Sequence, residues 1–168
     1  MENLVLHYQA EISRLLWRFA RNHADLEDLV QETFLRVVRG IRSWRADRPF
    51  AHWLRRIAAN TGRDYCRRQA VRSRWQVEPV PDADGERPPV EAIDPGVDPA
   101  ARAAHRELKQ LLAQLPPDDC ALLTLHHLEG WELAEVGRQF GWTVAATKIR
   151  AWRARGRLRS LYETRPSP

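Results

Sequence analysis

Residues 131–159, WELAEVGRQFGWTVAATKIRAWRARGRLR, decide how the C-terminal part of this 168-residue chain folds. Leu133, Val136 and Phe140 recur at helical spacing and then meet Gly141. Glycine ends helices because it enters the left-handed region without a Cβ clash. Two residues on, Thr143 is a good N-cap, with a hydroxyl that can accept a free amide of the first turn. Behind it come Lys148, Arg150, Arg153, Arg155, Arg157 and Arg159. Two short helices across a glycine turn, the second strongly cationic, form the pattern of a DNA-reading helix-turn-helix.

Charge extends that inference. The formal net charge is +5, yet residues 75–100 hold seven acids against Arg87 alone, a local net of −6. The remainder therefore carries +5 − (−6) = +11. An arginine-rich excess suits a polyanion, through counterion release and bidentate phosphate contacts, although it also describes any basic surface. Six of the eleven prolines fall within 71–100, interleaved with those acids. Such a composition buries too little apolar area to offset ordering, so 71–100 is expected to be a linker.

On both sides the apolar spacing is helical, and no run alternates with the period of a strand. The expectation is an all-α chain of two small helical domains, 1–70 and 101–165, the second ending in the helix-turn-helix. Helices are predicted over 3–21 (Leu4, Leu6, Ile12, Leu15, Leu16, Phe19), 25–39, 50–70, 100–114 and 118–129. Ser43 to Pro49 is expected to be a loop because Pro49 resists continuing a helix, Pro116 and Pro117 stop a helix, and Asp118 is the expected cap of the next. Cys66 and Cys120 lack metal-ligand spacing and suit a reduced cytoplasmic chain. The start, MENLVLHYQAEI, lacks a secretory pattern, and no apolar run approaches the ~18–20 residues of a membrane span.

Two helices carry the remaining chemistry. In DLEDLVQETFLRVV (25–38), Leu26, Val30, Thr33, Phe34 and Val37 should face a core, while Asp28, Gln31, Glu32 and Leu35 lie on another side. An acidic ridge serves a protein partner better than a phosphate, although a polar stripe is usually just a solvated face. In WLRRIAANTGRDYCRRQAVRSR (53–74), arginines surround Trp53, Leu54 and Ile57, and Asn60 can pair with a base edge. Aromatics among arginines suit unstacked bases. Phe50 and Trp53 are expected in the core, leaving Trp44 in the loop as the open case.

The ordered set HADLEDLVQETFLRV, a loop ending in Phe50, WLRRIAANTGRDYCRR, an acidic linker and LPPDDCALLTLHHLEGWELAEVGRQFGWTVAATKIRAWRARGRL resembles a bacterial RNA polymerase sigma factor. The resemblance is to the extracytoplasmic-function group of the sigma-70 family, which keeps only domains two and four, and it covers nearly all of the chain outside the linker. It implies that Asp28, Gln31, Glu32 and Leu35 meet the clamp helices of the polymerase largest subunit. It implies that Trp44, Arg45, Arg48, Arg56, Asn60, Arg63 and Arg67 serve opening and capture at the −10 element. Thr143, Lys148, Ile149, Arg150 and Arg153 would then belong to the −35 interface, with Arg155 and Arg157 on phosphates. Implied partners are core polymerase, including its flap region, promoter DNA and an anti-sigma factor clasping both domains. No cofactor or metal is implied.

Departures from the family pattern mark the recognition helix. Glu132 replaces a hydroxyl cap, Ala145 replaces a common glycine, and Thr147 and Ala151 thin the core stripe, while Ile149 and Trp152 fall on the outer side. Ile149 could pack on a thymine methyl, the helix could be rotated, or a regulatory partner could cover both residues. The acidic linker could lie against the basic remainder in the free protein and mask it. About thirty residues reach ~100 Å extended but only ~30 Å relaxed, against ~70 Å for two duplex turns, so the linker would be stretched in use. A repressor or response regulator without polymerase, or an adaptor, remains as the rival. No Ser/His/Asp order, carboxylate pair or phosphate loop supports an enzyme, and the sequential His126 and His127 make a poor metal pair.

Overall fold

The computed structural model describes residues 2–45, 49–75 and 99–164, with side chains except at 2–5, 73–75, 99 and 101–102. These residues form helices and no strand. Backbone contacts divide the chain into two units, with the division at Gly96 and Val97. Residues 76–98, most of the predicted linker, lie outside the described residues, and so does any masking by its acids.

The first unit packs three helices, α1 (Glu2–Trp17), α2 (His23–Gly40) and α3 (Phe50–Trp75), with a 3-10 turn at Ile41–Ser43. Asn22 caps α2 by accepting the Asp25 amide at 2.8 Å, so the helix begins two residues before the predicted Asp25. Ile12, Leu15 and Leu16 of α1 meet Leu26, Leu29, Thr33, Phe34 and Val37 of α2 and Leu54, Ala58 and Tyr65 of α3 in the core. Leu29 takes the buried place expected of Val30, which is only half-buried, and Leu6 lies in solvent. Tyr65 Oη donates to Asp25 Oδ2 at 2.6 Å, joining α3 to the first turn of α2. Gly62 lies under the Phe19 ring, where a Cβ would stand 2.5 Å from ring carbon. Helix α3 continues past the predicted limit at 70 to Trp75.

The second unit contains α4 (Pro99–Ala113), α5 (Pro117–Leu123), a π-turn at Thr124–Leu128, α6 (Leu133–Phe140) and α7 (Val144–Glu163). Pro117, not Asp118, opens α5, where a missing amide costs nothing and φ is already helical. The π-turn closes with Glu129 N donating to Thr124 O at 3.1 Å and Trp131 N to Leu125 O at 2.9 Å. Gly130, at φ +71°, turns the chain out of it. The carbonyl of Trp131 lies 2.7 Å from His126 Nδ1, which must donate because a carbonyl only accepts.

Helices α6 and α7 form the predicted helix-turn-helix. Gly141 takes the left-handed conformation at φ +73°, and Trp142 N donates to Gly137 O at 2.8 Å. Thr143 caps α7 by accepting the Ala146 amide at 3.2 Å, whereas Glu132 makes no side-chain cap for α6. The thinned stripe of α7, Thr147, Ala151 and Ala154, is fully buried. Small residues here let the helices approach until a Cβ on Gly137 would stand 2.5 Å from Thr147 Oγ1. That hydroxyl is satisfied by donating to Thr143 O at 2.8 Å.

Candidate partner and nucleic-acid interfaces

The outer side of α2 separates into two stripes. Asp28, Gln31 and Leu35 join Val38 along a groove between α1 and α2 that is also lined by Gln9, Ser13 and Glu27. Leu35 and Val38 are exposed there, an apolar strip beside the carboxylates of Glu27 and Asp28. Glu32, one turn after Asp28 at the edge of this side, reaches toward α3. Its carboxylate meets Arg36 Nη2 at 2.5 Å and Arg68 Nη2 at 2.9 Å, while Arg36 Nη1 reaches Asp64 at 2.8 Å. Burial would raise the Glu32 pKa, but the Arg68 hydrogen bond and the two guanidinium charges outweigh it and hold the carboxyl below the usual glutamate value. The four residues grouped by the sequence follow one another at three- and four-residue steps on the outer side of α2. Glu32 is the member tied to α3.

Along α3, Arg56, Asn60, Arg63 and Arg67 recur at four-, three- and four-residue steps on the side opposite Leu54, Ala58 and Tyr65. Arg56, Asn60 and Arg67 are exposed and Arg63 is half-buried. Arg55 pairs with Glu11 of α1. Trp53 lies on the Asn60 side two turns earlier, which corrects its expected place in the core, and both Trp53 and Phe50 are only half-buried. They belong to a ring cluster. Phe50 lies 5.5 Å from Trp44 at an edge-on 84°, 5.4 Å from Trp53 and 5.5 Å from Tyr8. Spacing alone hid this arrangement, because Trp44 and Phe50 lie six residues apart and belong to no common helix; the Trp53–Asn60 register was the available signal. Arg45 is exposed beside the cluster, and Arg48 lies outside the described residues.

On α7, Lys148, Ile149, Arg150, Arg153 and Arg155 are all exposed, and so is Thr143 at the cap. Arg150 stacks 4.4 Å from the Trp142 ring, a cation–π contact that steadies its guanidinium. Arg157, expected among the phosphate contacts, also has a partner within the unit. Its guanidinium pairs with Asp119, a buried acid in the first turn of α5. An acid 38 residues away in sequence gave no local sign of this pairing. Cys66 and Cys120 are not joined in a disulfide. Among the described residues no cluster of His, Cys, Asp or Glu has the arrangement of a metal site, and no helix is long and apolar enough to cross a membrane.

Comparison with known proteins places these surfaces in a family. Residues 4–72 match sigma-70 region 2 and residues 105–158 match sigma-70 region 4. The chain is 34% identical over 160 residues to the RNA polymerase sigma factor CarQ of Myxococcus xanthus, covering 95% of this chain and 87% of that one. It is 33% identical over 158 residues to the ECF RNA polymerase sigma factor SigE of Mycolicibacterium smegmatis, spanning 94% of this chain but 60% of that longer relative. The fold is shared with the sigma factor RpoE of Bartonella quintana, solved with the anti-sigma factor NepR, at TM-score 0.63 and 21% identity, over 98% of each chain. The two region matches in order, carried by relatives across nearly the whole length, establish that this chain belongs to the extracytoplasmic-function group of the sigma-70 family of RNA polymerase sigma factors.

Proposed function

We propose that this chain is a promoter-specificity subunit that joins core RNA polymerase in the cytoplasm, engages −10 and −35 elements and directs initiation, with no catalysis of its own. The observation that carries the proposal is the ordered pair of sigma-70 region matches, 4–72 and 105–158, in one chain. The domain limits that follow are 1–70 for polymerase docking and the −10 element, and 101–165 for the −35 element.

The docking face is the apolar and acidic groove of Asp28, Gln31 and Leu35, which suits a helical partner bearing cations opposite Glu27 and Asp28. Glu32 contributes by exchanging its Arg68 pairing for a partner cation. At the −10 element, unstacking a base costs a few kcal/mol. The half-buried rings of Trp44, Phe50 and Trp53 supply a stacking surface to offset it, with Arg56, Asn60, Arg63 and Arg67 continuing along the same helix. At the −35 element, Lys148, Arg150, Arg153 and Arg155 face a duplex, and Arg157 orients α7 through Asp119. An anti-sigma factor is the expected regulator, since the fold neighbour from Bartonella quintana was solved with one.

Run-off transcription with purified core polymerase tests the proposal. Promoter-specific transcripts that require the chain are expected, and a Trp44→Ala, Trp53→Ala double variant should bind core normally yet fail to open the promoter, as read by permanganate reactivity of unpaired thymines. Tight, sequence-specific DNA binding by the chain alone, with no transcript on adding core, would favour a repressor.

A further inference from the structure

We propose that the outermost seam of α7 reads thymine methyl groups, with Ile149 and Trp152 as specificity-determining residues and Gly156 keeping the backbone close enough for them to reach. This inference rests on the proposed promoter reading and adds the chemistry that the recognition helix selects.

Three observations carry it. At ~100° per residue, Ile149, Trp152 and Gly156 point away from the buried stripe of Thr147, Ala151 and Ala154. Ile149 is 52% exposed and Trp152 is 70% exposed, so two large apolar side chains stand in solvent on the helix that faces DNA. Packing inside the second unit does not use them.

The seam is bordered by cations on both sides, Lys148 and Arg155 on one and Arg150 and Arg153 on the other, and the only acid in α7 is Glu163 at its end. Apolar residues between two cationic rows match the major groove, where a base floor lies between two phosphate backbones about 12 Å apart. The thymine C5 methyl is the apolar group that this floor presents. An apolar seam meant for a protein partner has no need of a cation row on each flank.

Gly156 supplies the third observation. A glycine inside a helix costs about 0.5–1 kcal/mol relative to alanine. A Cβ added here would meet nothing within 4 Å, so no neighbour within the unit requires the glycine. The space lies outside the helix, where a close duplex backbone would fill it.

Ile149 and Trp152 are separated by about 4.5 Å along the axis, one to two base steps at about 3.4 Å each. The test equilibrates holoenzyme, made from the full chain and core polymerase, with duplexes whose upstream element is randomised, and sequences the bound fraction. Thymine on either strand should be enriched at two positions one or two steps apart, with Ile149→Ala erasing one preference and Trp152→Ala the other. Replacing an enriched thymine by deoxyuridine removes only the methyl and should weaken wild-type binding about fourfold, while leaving the matching alanine variant unchanged. Gly156→Ala should raise the melting temperature of the chain yet weaken duplex binding several-fold, a combination that misfolding cannot produce.

Enrichment without thymine at those positions, or indifference to deoxyuridine, overturns the proposal while leaving the promoter role standing. If both alanine variants select the same sequences as wild type but lose affinity for a protein regulator, the seam belongs to that regulator. Failure to enrich any duplex above core polymerase alone overturns the promoter reading as well.

Discussion

Replacing Arg157 by alanine should destabilise the second unit more than replacing its partner Asp119. The difference follows from where the two charges sit. Asp119 is 5% exposed, whereas the Arg157 side chain is 53% exposed. Removing the arginine strands a carboxylate that burial has cut off from water. Stranding a fully buried charge costs about 3–5 kcal/mol, while exposed pairs contribute about 0–1 kcal/mol. A half-exposed partner places Arg157→Ala between these limits, at about 2 kcal/mol. Asp119→Ala instead releases an arginine that already reaches solvent, and removes an acid from the first turn of α5 worth about 0.3–1 kcal/mol. It should cost about 1 kcal/mol or less, and the double variant should resemble it rather than Arg157→Ala.

Hydrogen exchange of the α7 amides in the full chain measures this directly. Slow-exchanging amides should lose about thirtyfold of protection in Arg157→Ala and at most about fivefold in Asp119→Ala, since 1.4 kcal/mol is about a factor of ten. Salt dependence of duplex binding by holoenzyme separates the structural role from a phosphate contact. Each released counterion contributes about 0.9 to the slope of log affinity on log salt. Arg157→Gln should leave that slope unchanged, while Arg155→Gln should reduce it by about one. A reduced slope in Arg157→Gln with protection intact would refute the argument and return Arg157 to the phosphates.

Two further outcomes follow from the same unit. Gly137→Ala places a Cβ 2.5 Å from Thr147 Oγ1 and 3.1 Å from Trp142 O, so it should lower stability by about 1–3 kcal/mol in a urea titration, and adding Thr147→Ala should recover part of the loss; no loss in the single variant would show that α6 and α7 can separate freely. Burial, then the charges of His126 and Arg155, hold the His127 pKa below 6.5, so the folded chain binds fewer protons than the unfolded one near that pH. Stability should therefore fall as pH drops through about 6.5 and the lower folded value, and His127→Gln should flatten this dependence in pH-resolved thermal melts, with an unchanged profile counting against it.

What could be read from the sequence depended on how far apart the interacting residues lie. The helix-turn-helix was legible because its signals are local: Gly141 ends one helix, Thr143 caps the next, and the cations follow within a few turns. Boundaries moved where two local signals competed. Asn22 takes the cap of α2, so Asp25 becomes a first-turn acid. Pro117 opens α5, so Asp118 does not cap it. The stripe of α2 was ambiguous because Leu29 and Val30 both fit a period of 3.6, and packing chose the leucine.

Pairings across dozens of residues had no local trace, and they divide the basic residues into two populations. Arg36, Arg55, Arg68 and Arg157 are engaged with Glu32, Asp64, Glu11 and Asp119, where their charge fixes one helix against another. Lys148, Arg150, Arg153 and Arg155 have no acid partner among the described residues and stand together on α7. The paired acids are already subtracted in the +11 excess, so that excess resides on cations such as these. A polyanion first meets cations whose acids are absent, and α7 is where they are concentrated. The exposed Trp152 and Ile149 lie in the middle of that row, where an unpaired cation would have been the simpler choice for affinity alone. Apolar side chains at that place sacrifice attraction to phosphate, and a protein gains from that only if the groups they touch differ between one base pair and the next.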